Sequence, residues 1–179
     1  SGGSYGLLRN AIIAEAGFNR SGIRVGFDKI HSDGYRDNNQ FDRSTVGLTA
    51  GVGIGEKTNI SFVLNYIDLF GQIPSSIDKS TYDHNPSAAA PTWKATEGYE
   101  EYYKLLNGLN LSRHIGKKSN FDAGIFWIIR NSYERRPFNI LKEDIRAWGM
   151  RLKYSYSGIL FHNKISFILG HEYFKDRYS

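Results

Sequence analysis

Residues 43–54 alternate almost without a break. Val46, Leu48, Ala50, Val52 and Ile54 fall on one parity, and Thr45, Gly47, Thr49, Gly51 and Gly53 on the other. Successive side chains of a strand point to opposite faces, so this period predicts a strand with one face in an apolar medium and one in a polar medium. The period recurs along the chain. Ile23, Val25 and Phe27 oppose Arg24, Gly26 and Asp28. Phe121, Ala123, Ile125, Trp127 and Ile129 oppose Asp122, Gly124 and Arg130, with Phe126 and Ile128 intruding on the polar side. Trp148, Met150, Leu152, Tyr154 and Tyr156 oppose Ala147, Gly149, Arg151 and Lys153, and Ile165, Phe167 and Leu169 oppose Lys164, Ser166, Gly170 and Glu172. Eight strands are predicted: Tyr5–Ala16, Gly22–Ile30, Arg43–Ile54, Asn59–Leu69, Tyr102–Ile115, Asn120–Arg130, Ile145–Tyr156 and Asn163–Phe174. Each is near or above the roughly 9–11 residues a tilted strand needs to cross a bilayer, about twice the usual globular length.

The gaps between these strands are sorted. Gly17–Ser21, Gly55–Thr58, Gly116–Ser119 and Ser157–His162 are short, while His31–Asp42, Phe70–Glu101 and Asn131–Asp144 are long, and the two kinds alternate. In an antiparallel meander, alternate connections lie at opposite ends. All short turns therefore share one end and all long loops the other, the arrangement of a transmembrane β-barrel. A soluble sandwich or ligand-binding β-barrel would also alternate in polarity but gives no reason for that sorting. Mid-strand charges (Arg24, Asp28, Arg151, Lys153) fit a wet lumen. No helix is predicted, although the small-residue run Ser87–Ala90 has room for a single turn. The predicted class is all-β, an antiparallel transmembrane meander. A loop of about thirty residues, Phe70–Glu101, is large for a small barrel and points to an arc of a bigger one.

Composition adds less. The formal charge of +5 and pI near 9.3 are spread along the chain without a basic block, a poor signature for nucleic acid. With no cysteine there is no disulfide framework or thiolate metal site. No run approaches the 18 apolar residues of a membrane-spanning helix. The 12 Tyr and 11 Phe suit strands and interfacial belts. The N-terminal Ser1–Ser4 stretch lacks signal-peptide character, and the abrupt start and end are those expected of an internal piece of a longer precursor. No Gly-x-Ser-x-Gly, phosphate loop or His-Glu-x-x-His is present. Glu97, Glu100 and Glu101 cluster without a second group to complete a catalytic pair and read as a solvated acidic patch. No catalysis and no cofactor are expected.

Several loop words sit in register with the strands: Ser32–Asn38 after the second strand, Ile73–Ile77, Tyr82–Pro86, Ala88–Trp93 and Gly98–Glu100 in the long loop, and Tyr133–Leu141 followed by Glu143 after the sixth strand. Together they resemble the barrel of TonB-dependent outer membrane receptors of the ferric-citrate and ferric-siderophore type, over nearly the whole chain. The resemblance implies about eight strands of a 22-stranded barrel with a plugged lumen, residues 1–179 being a fragment of the barrel domain without its plug domain. It implies a bacterial outer membrane location and uptake of a ferric chelate, siderophore or citrate. The implied partners are that chelate, TonB through the missing plug, lipid and lipopolysaccharide, and the remaining strands. The rival readings are a passive porin-like or adhesin-like barrel and, less favoured by the loop sorting, a soluble ligand-binding β-barrel.

A chelate with citrate or catecholate groups is anionic, so guanidinium forks and aromatic rims are the residue types that would grip it. The candidates are Tyr35, Arg36, Arg43, Tyr82, Trp93, Arg130, Tyr133, Arg135 and Arg136. Each has a plainer role open to it. Arg36 adjoins Asp37 and fits a loop salt bridge. Arg135 and Arg136 adjoin Glu134 and fit lipopolysaccharide phosphates or neighbouring loops. Tyr35 and Tyr133 fit an interfacial girdle, and Trp93 fits packing of the loop onto itself. His84 is a lone histidine in a polar loop and is not taken as a metal ligand. Pro74, Pro86, Pro91 and Pro137 all fall in long gaps, where a missing N–H costs nothing and a fixed φ stiffens the loop. Gly47, Gly51 and Gly53 on the polar face fit either close approach of a plug or sheet curvature.

Overall fold

The computed structural model describes residues 1–160 and 162–179. One antiparallel sheet contains β1 (Leu8–Phe18), β2 (Ser21–Ser32), β3 (Phe41–Ile54), β4 (Thr58–Gln72), β5 (Tyr99–Ile115), β6 (Ser119–Arg135), β7 (Ile140–Leu160) and β8 (Asn163–Tyr178), in that spatial order. Among the described residues each strand pairs with its sequence neighbours, and β1 and β8 have one partner each, so the sheet is an open arc. Two short helices, α1 (Lys79–His84) and α2 (Pro91–Thr96), lie in the β4–β5 connection.

Register carries the alternation from strand to strand. Val25 pairs with Leu48, Leu48 with Leu64, Leu109 with Ile125 and Ile125 with Met150, so the apolar parities of neighbouring strands share one face. That face is bare. Ile12 is 69% exposed, Ile125 50%, Trp148 48% and Val52 41%. Among the described residues the buried apolar side chains are Ala89, Ala90 and Ala147, the first two in the long loop. Among the described residues neither helix nor second sheet covers the strands, so they form no sandwich interior. An apolar face this wide far exceeds the few hundred Å² that a soluble monomer exposes.

Two aromatic rows border the face. Phe70, Tyr99 and Tyr133 stack at the long-loop end, with ring centroids 5.2 and 5.8 Å apart. Tyr154, Phe167 and Tyr156 cluster toward the short-turn end, at 5.9 and 5.6 Å. Phe121, opposite Tyr154, lies in the same strand as Tyr133. Twelve residue steps separate Phe121 from Tyr133, about 40 Å along the strand and about 30 Å along the normal at a 40° tilt. The spacing matches a hydrocarbon layer between two interfacial girdles.

Three expectations change. The long gap Asn131–Asp144 is mostly strand: Asn131 pairs with Asp144 and Arg135 with Ile140, leaving only residues 136–139 as a tip. Above the apolar band both faces meet water, so the two-residue period fades while the backbone ladder continues. Extensions of β4 to Gln72 and β5 back to Tyr99 have the same cause. Second, the helices flank Ser87–Ala90, which is itself non-helical. Asp78 caps α1 through its side chain, and Pro91 opens α2 with its φ already set. Third, the first strand starts at Leu8 rather than Tyr5, because Tyr5 and Gly6 take positive φ (58° and 66°) in a turn. The short turns hold at Asn19–Arg20, Gly55–Lys57 and Gly116–Lys118. Gly55 (φ 59°) and Gly116 (φ 67°) supply the left-handed residue each of those two turns needs. The turn expected at Ser157–His162 includes Phe161, which lies outside the described residues; β7 runs to Leu160 and β8 begins at Asn163.

Candidate functional site: the long-loop rim

The segments 33–40 and 73–98 meet at one end of the sheet and lock together. Arg36 donates through Nε and Nη2 to the Ala88 carbonyl (3.0 and 2.8 Å) and through Nη1 to the Ser75 carbonyl (2.7 Å). Asn38, at φ 51°, donates its amide to the carbonyls of Ile73 (2.8 Å) and Gly98 (2.9 Å). Asn is among the few non-glycine types that tolerate this left-handed backbone. The Asp37 N–H donates to the Ser87 carbonyl at 2.8 Å, and its carboxylate pairs with Lys94 at 2.8 Å. Arg36 and Asp37 therefore do not pair with each other. Trp93 packs against Gly98, where any Cβ would collide with the ring, so the loop packs on itself. Closing a loop of about 26 residues costs about 3 kcal/mol of entropy. Charge-assisted hydrogen bonds contribute about 1.5–3 kcal/mol each. The bonds from Arg36 are therefore enough to offset the closure cost on their own.

Within this cap, Asp78 accepts the Thr81 N–H at 2.7 Å. That backbone bond, followed by the Thr81 side chain, holds the Asp78 carboxyl below its ordinary value of 3.8. A depressed folded-state pKa contributes stability that is present above the unfolded value and is lost as pH falls through the folded one. Amide protection of α1 is expected to fall as pH drops below about 3.8. An Asp78→Asn variant, which keeps the cap without titrating, should show a flat profile by hydrogen exchange.

The remaining candidates divide by face. Arg43 and Arg130 stand on the polar face. Arg43 lies 3.6 Å from Asp28, and Arg130 pairs with Glu100 at 3.0 Å while its guanidinium sits 4.7 Å over the Tyr102 ring. The Nε atoms of both are buried without a partner among the described residues. Arg136, at the β6–β7 tip, bonds Glu134 at 2.6 Å. Tyr35 packs edge-on against Tyr5 (5.3 Å), and Tyr82 stands on α1, 61% exposed. Tyr133 and Arg135 share the parity of Trp127 and so lie along the apolar face. Tyr133 stacks on Tyr99 with Lys142 5.6 Å above its ring, the girdle position. The nine residues thus do not converge on one point. Sequence reasoning did not single out Asn38, Lys94 or Tyr102, and it read Glu100 as part of a solvated acidic patch rather than as the partner of Arg130. Only Asn38 had a local signal, a residue that tolerates positive φ shortly after Asp33–Gly34.

The polar face carries ion pairs from edge to edge: Arg24–Glu15 (3.1 Å), Arg9–Asp28 (2.7 Å), Lys153–Asp122 (3.1 Å) and Arg151–Glu172 (2.9 Å). Between them Thr49, Ser61, Gly108, Asn110 and Gly124 leave a hollow of about 250 Å³, bounded by Arg151. Phe126, the intruder on this parity, lies over Gly149, whose added Cβ would meet the ring at 2.5 Å. Gly108 faces Val63 closely, at 3.1 Å from a built Cβ, while nothing among the described residues crowds Gly47. Among the described residues no three metal-ligating side chains converge.

No family model and no curated protein matches this sequence. Solved structures do. The unliganded ferric citrate transporter FecA superposes with a TM-score of 0.80 at 14% identity, over 98% of this chain and 27% of its own. The siderophore receptor PiuA from Acinetobacter baumannii gives 0.81 at 14%, over 99% and 29%. The alcaligin outer membrane receptor FauA from Bordetella pertussis gives 0.73 at 10%, over 98% and 28%. The chain spans less than a third of the length of each. Eight meandering strands, a bare apolar face and superposition over almost every residue give one result: the chain has the fold of a barrel arc of the outer membrane ferric-chelate receptors.

Proposed function

We propose that this chain is an eight-strand segment of the barrel domain of a TonB-dependent outer membrane receptor that takes up a ferric chelate, a siderophore or citrate. The observation that carries the reading is the conjunction of a one-layer sheet bordered by aromatic rows with loops gathered at one rim. The apolar face meets lipid and the polar face lines the lumen. Arg43, Arg130 and Arg136, with Tyr35 and Tyr82, offer guanidinium and phenol groups to the anionic chelate. Arg36 and Trp93 act by holding the loop that presents them. A plug domain outside this chain receives energy from TonB. Chemical conversion of the ligand has no place in this scheme, and the structural neighbours are likewise transporters and receptors.

The test is iron uptake by cells carrying the intact gene with residues 75–96 deleted and the β4–β5 strands rejoined. Uptake of one labelled ferric chelate is expected to fall at least tenfold while the barrel still reaches the membrane. Unchanged uptake of every ferric chelate tried, with free diffusion of small solutes, would favour a passive porin-like barrel instead.

A further inference from the structure

Both ends of the segment 33–40 meet on one side chain. His31, near the long-loop end of β2, has its Nδ1 2.8 Å from Asp42 Oδ1 and its Nε2 3.2 Å from Asp33 Oδ1. Asp33 opens the segment and Asp42 follows its end, so the ring bridges the two exits of the turn. A neutral imidazole has one N–H and one lone pair, and only the imidazolium donates through both nitrogens. The pairing is therefore complete in the charged form alone. Loss of the proton turns a lone pair towards one of the two carboxylates. Phe27 is the last apolar residue on this face of β2, and Lys29 separates it from His31, so the ring stands beyond the apolar stretch of its strand. Its side chain is 37% exposed and exchanges protons with water. The neighbouring strands add little charge. β1 offers Leu8 opposite His31, and β3 offers Asp42, with Arg43 on the other face turned to Asp28. Lys29 acts on Asp42 from β2 itself, and Phe70 and then Glu101 follow Asp42 across β4 and β5. The second oxygen of Asp42 accepts the Gln40 amide at 2.9 Å, and Gln40 and Gln72 bond each other twice (3.1 and 2.8 Å).

We propose that His31 is a proton-dependent latch of the rim: charged, it ties Asp33 to Asp42 and holds the segment 33–40 closed, and neutral, it lets that segment loosen. The segment carries Arg36, Asp37 and Asn38, whose bonds to Ser75, Ala88, Ser87, Ile73 and Gly98 hold the long loop, so the cap follows the latch. The hydrogen bond from Asp42, with that from Asp33, holds the imidazolium pKa above its ordinary 6.5, against partial burial. A raised folded-state value gives stability that is fully present below 6.5 and is lost as pH rises through the folded value. The latch stands on these contacts alone. Its consequence, weaker capture of an anionic chelate as pH rises, rests on the transport reading, since Tyr35 and Arg36 then lose their fixed positions.

The experiment follows amide exchange across residues 33–42 and 73–98 of the intact protein in detergent micelles from pH 6 to pH 9, as protection factors, which divide out the chemical exchange rate. Wild-type protection of 33–42 is expected to fall about threefold to tenfold across this range, with 73–98 following at the same midpoint. His31→Gln should give a flat profile at the level the wild type reaches at pH 9. His31→Arg, charged throughout, should give a flat profile that stays above the wild type at pH 9. Asp42→Asn removes the nearer carboxylate and should move the midpoint to lower pH. His84, on α1, is the other histidine of the rim and stays in every variant. A slope that survives in His31→Gln belongs to His84 or another group and overturns the proposal, as does a flat wild-type profile. A slope in 33–42 with none in 73–98 overturns the coupling to the cap. Exchange reads the latch with no ligand present, so its failure is distinct from a failure of iron uptake.

Discussion

Leu48→Arg in the intact protein is expected to lower the stability of the folded barrel in lipid by about 2–4 kcal/mol, the cost of a cation at the bilayer midplane. Thr49→Arg, one residue along the same strand, should cost well under half of that. Leu48 lies between Val25 and Leu64 on the apolar face, near the middle of the span bordered by the two aromatic rows. Thr49 lies on the polar face, where it borders the hollow beside Ser61 and Gly108. Position along the chain is almost the same in the two variants, and only the face differs. Reversible denaturant unfolding from vesicles reads both. A Thr49 variant damaged as badly as the Leu48 variant would mean that both faces are dry, and the barrel reading would go with it.

Arg36→Ala should release the rim. It removes three hydrogen bonds to the carbonyls of Ser75 and Ala88 and leaves those acceptors in a partly buried setting. At about 1.5–3 kcal/mol for each bond to a charged group, less water's partial replacement, a local loss of about 2–4 kcal/mol follows. Hydrogen exchange across residues 73–98 should then speed up by a factor of about 30 to 1000, while β3 and β4 keep their protection. Arg36→Lys should recover little, because an ammonium cannot span two carbonyls with a planar fork. Ligand affinity should fall with the loss of a loop already closed before binding, since ordering it would then be charged to the ligand. Protection unchanged in Arg36→Ala would show that Asn38 and the Lys94–Asp37 pair hold the cap without it.

Much of this molecule was legible residue by residue. Parity in β3 is set by Val46, Leu48, Ala50 and Val52 themselves, because the side-chain period of a strand is a property of adjacent residues. The sorting of loops by end followed from counting strands, since each antiparallel turn reverses the chain. The strand ends were less legible. Residues 131–135 and 140–144 pair as a hairpin although their polarity has lost its period, because above the band both faces are wet and only the backbone ladder continues.

The rim shows the division most sharply. Arg36 was visible as a cation in a loop, and an ion pair with its neighbour Asp37 was the local expectation. Its acceptors lie 39 and 52 residues away, and Asp37 turns instead to Lys94, 57 residues on. Those partners meet only after β3 and β4 have paired and carried their loops to one end. The same holds for His31, whose bond to Asp42 is a matter of β2–β3 register. The sequence by itself determined which side chains face apart and which connections lie together, because both depend on spacing along one strand or on the number of reversals. Tertiary structure alone decided which charges meet, because a charge takes the nearest partner in space, and register rather than sequence distance sets what is near.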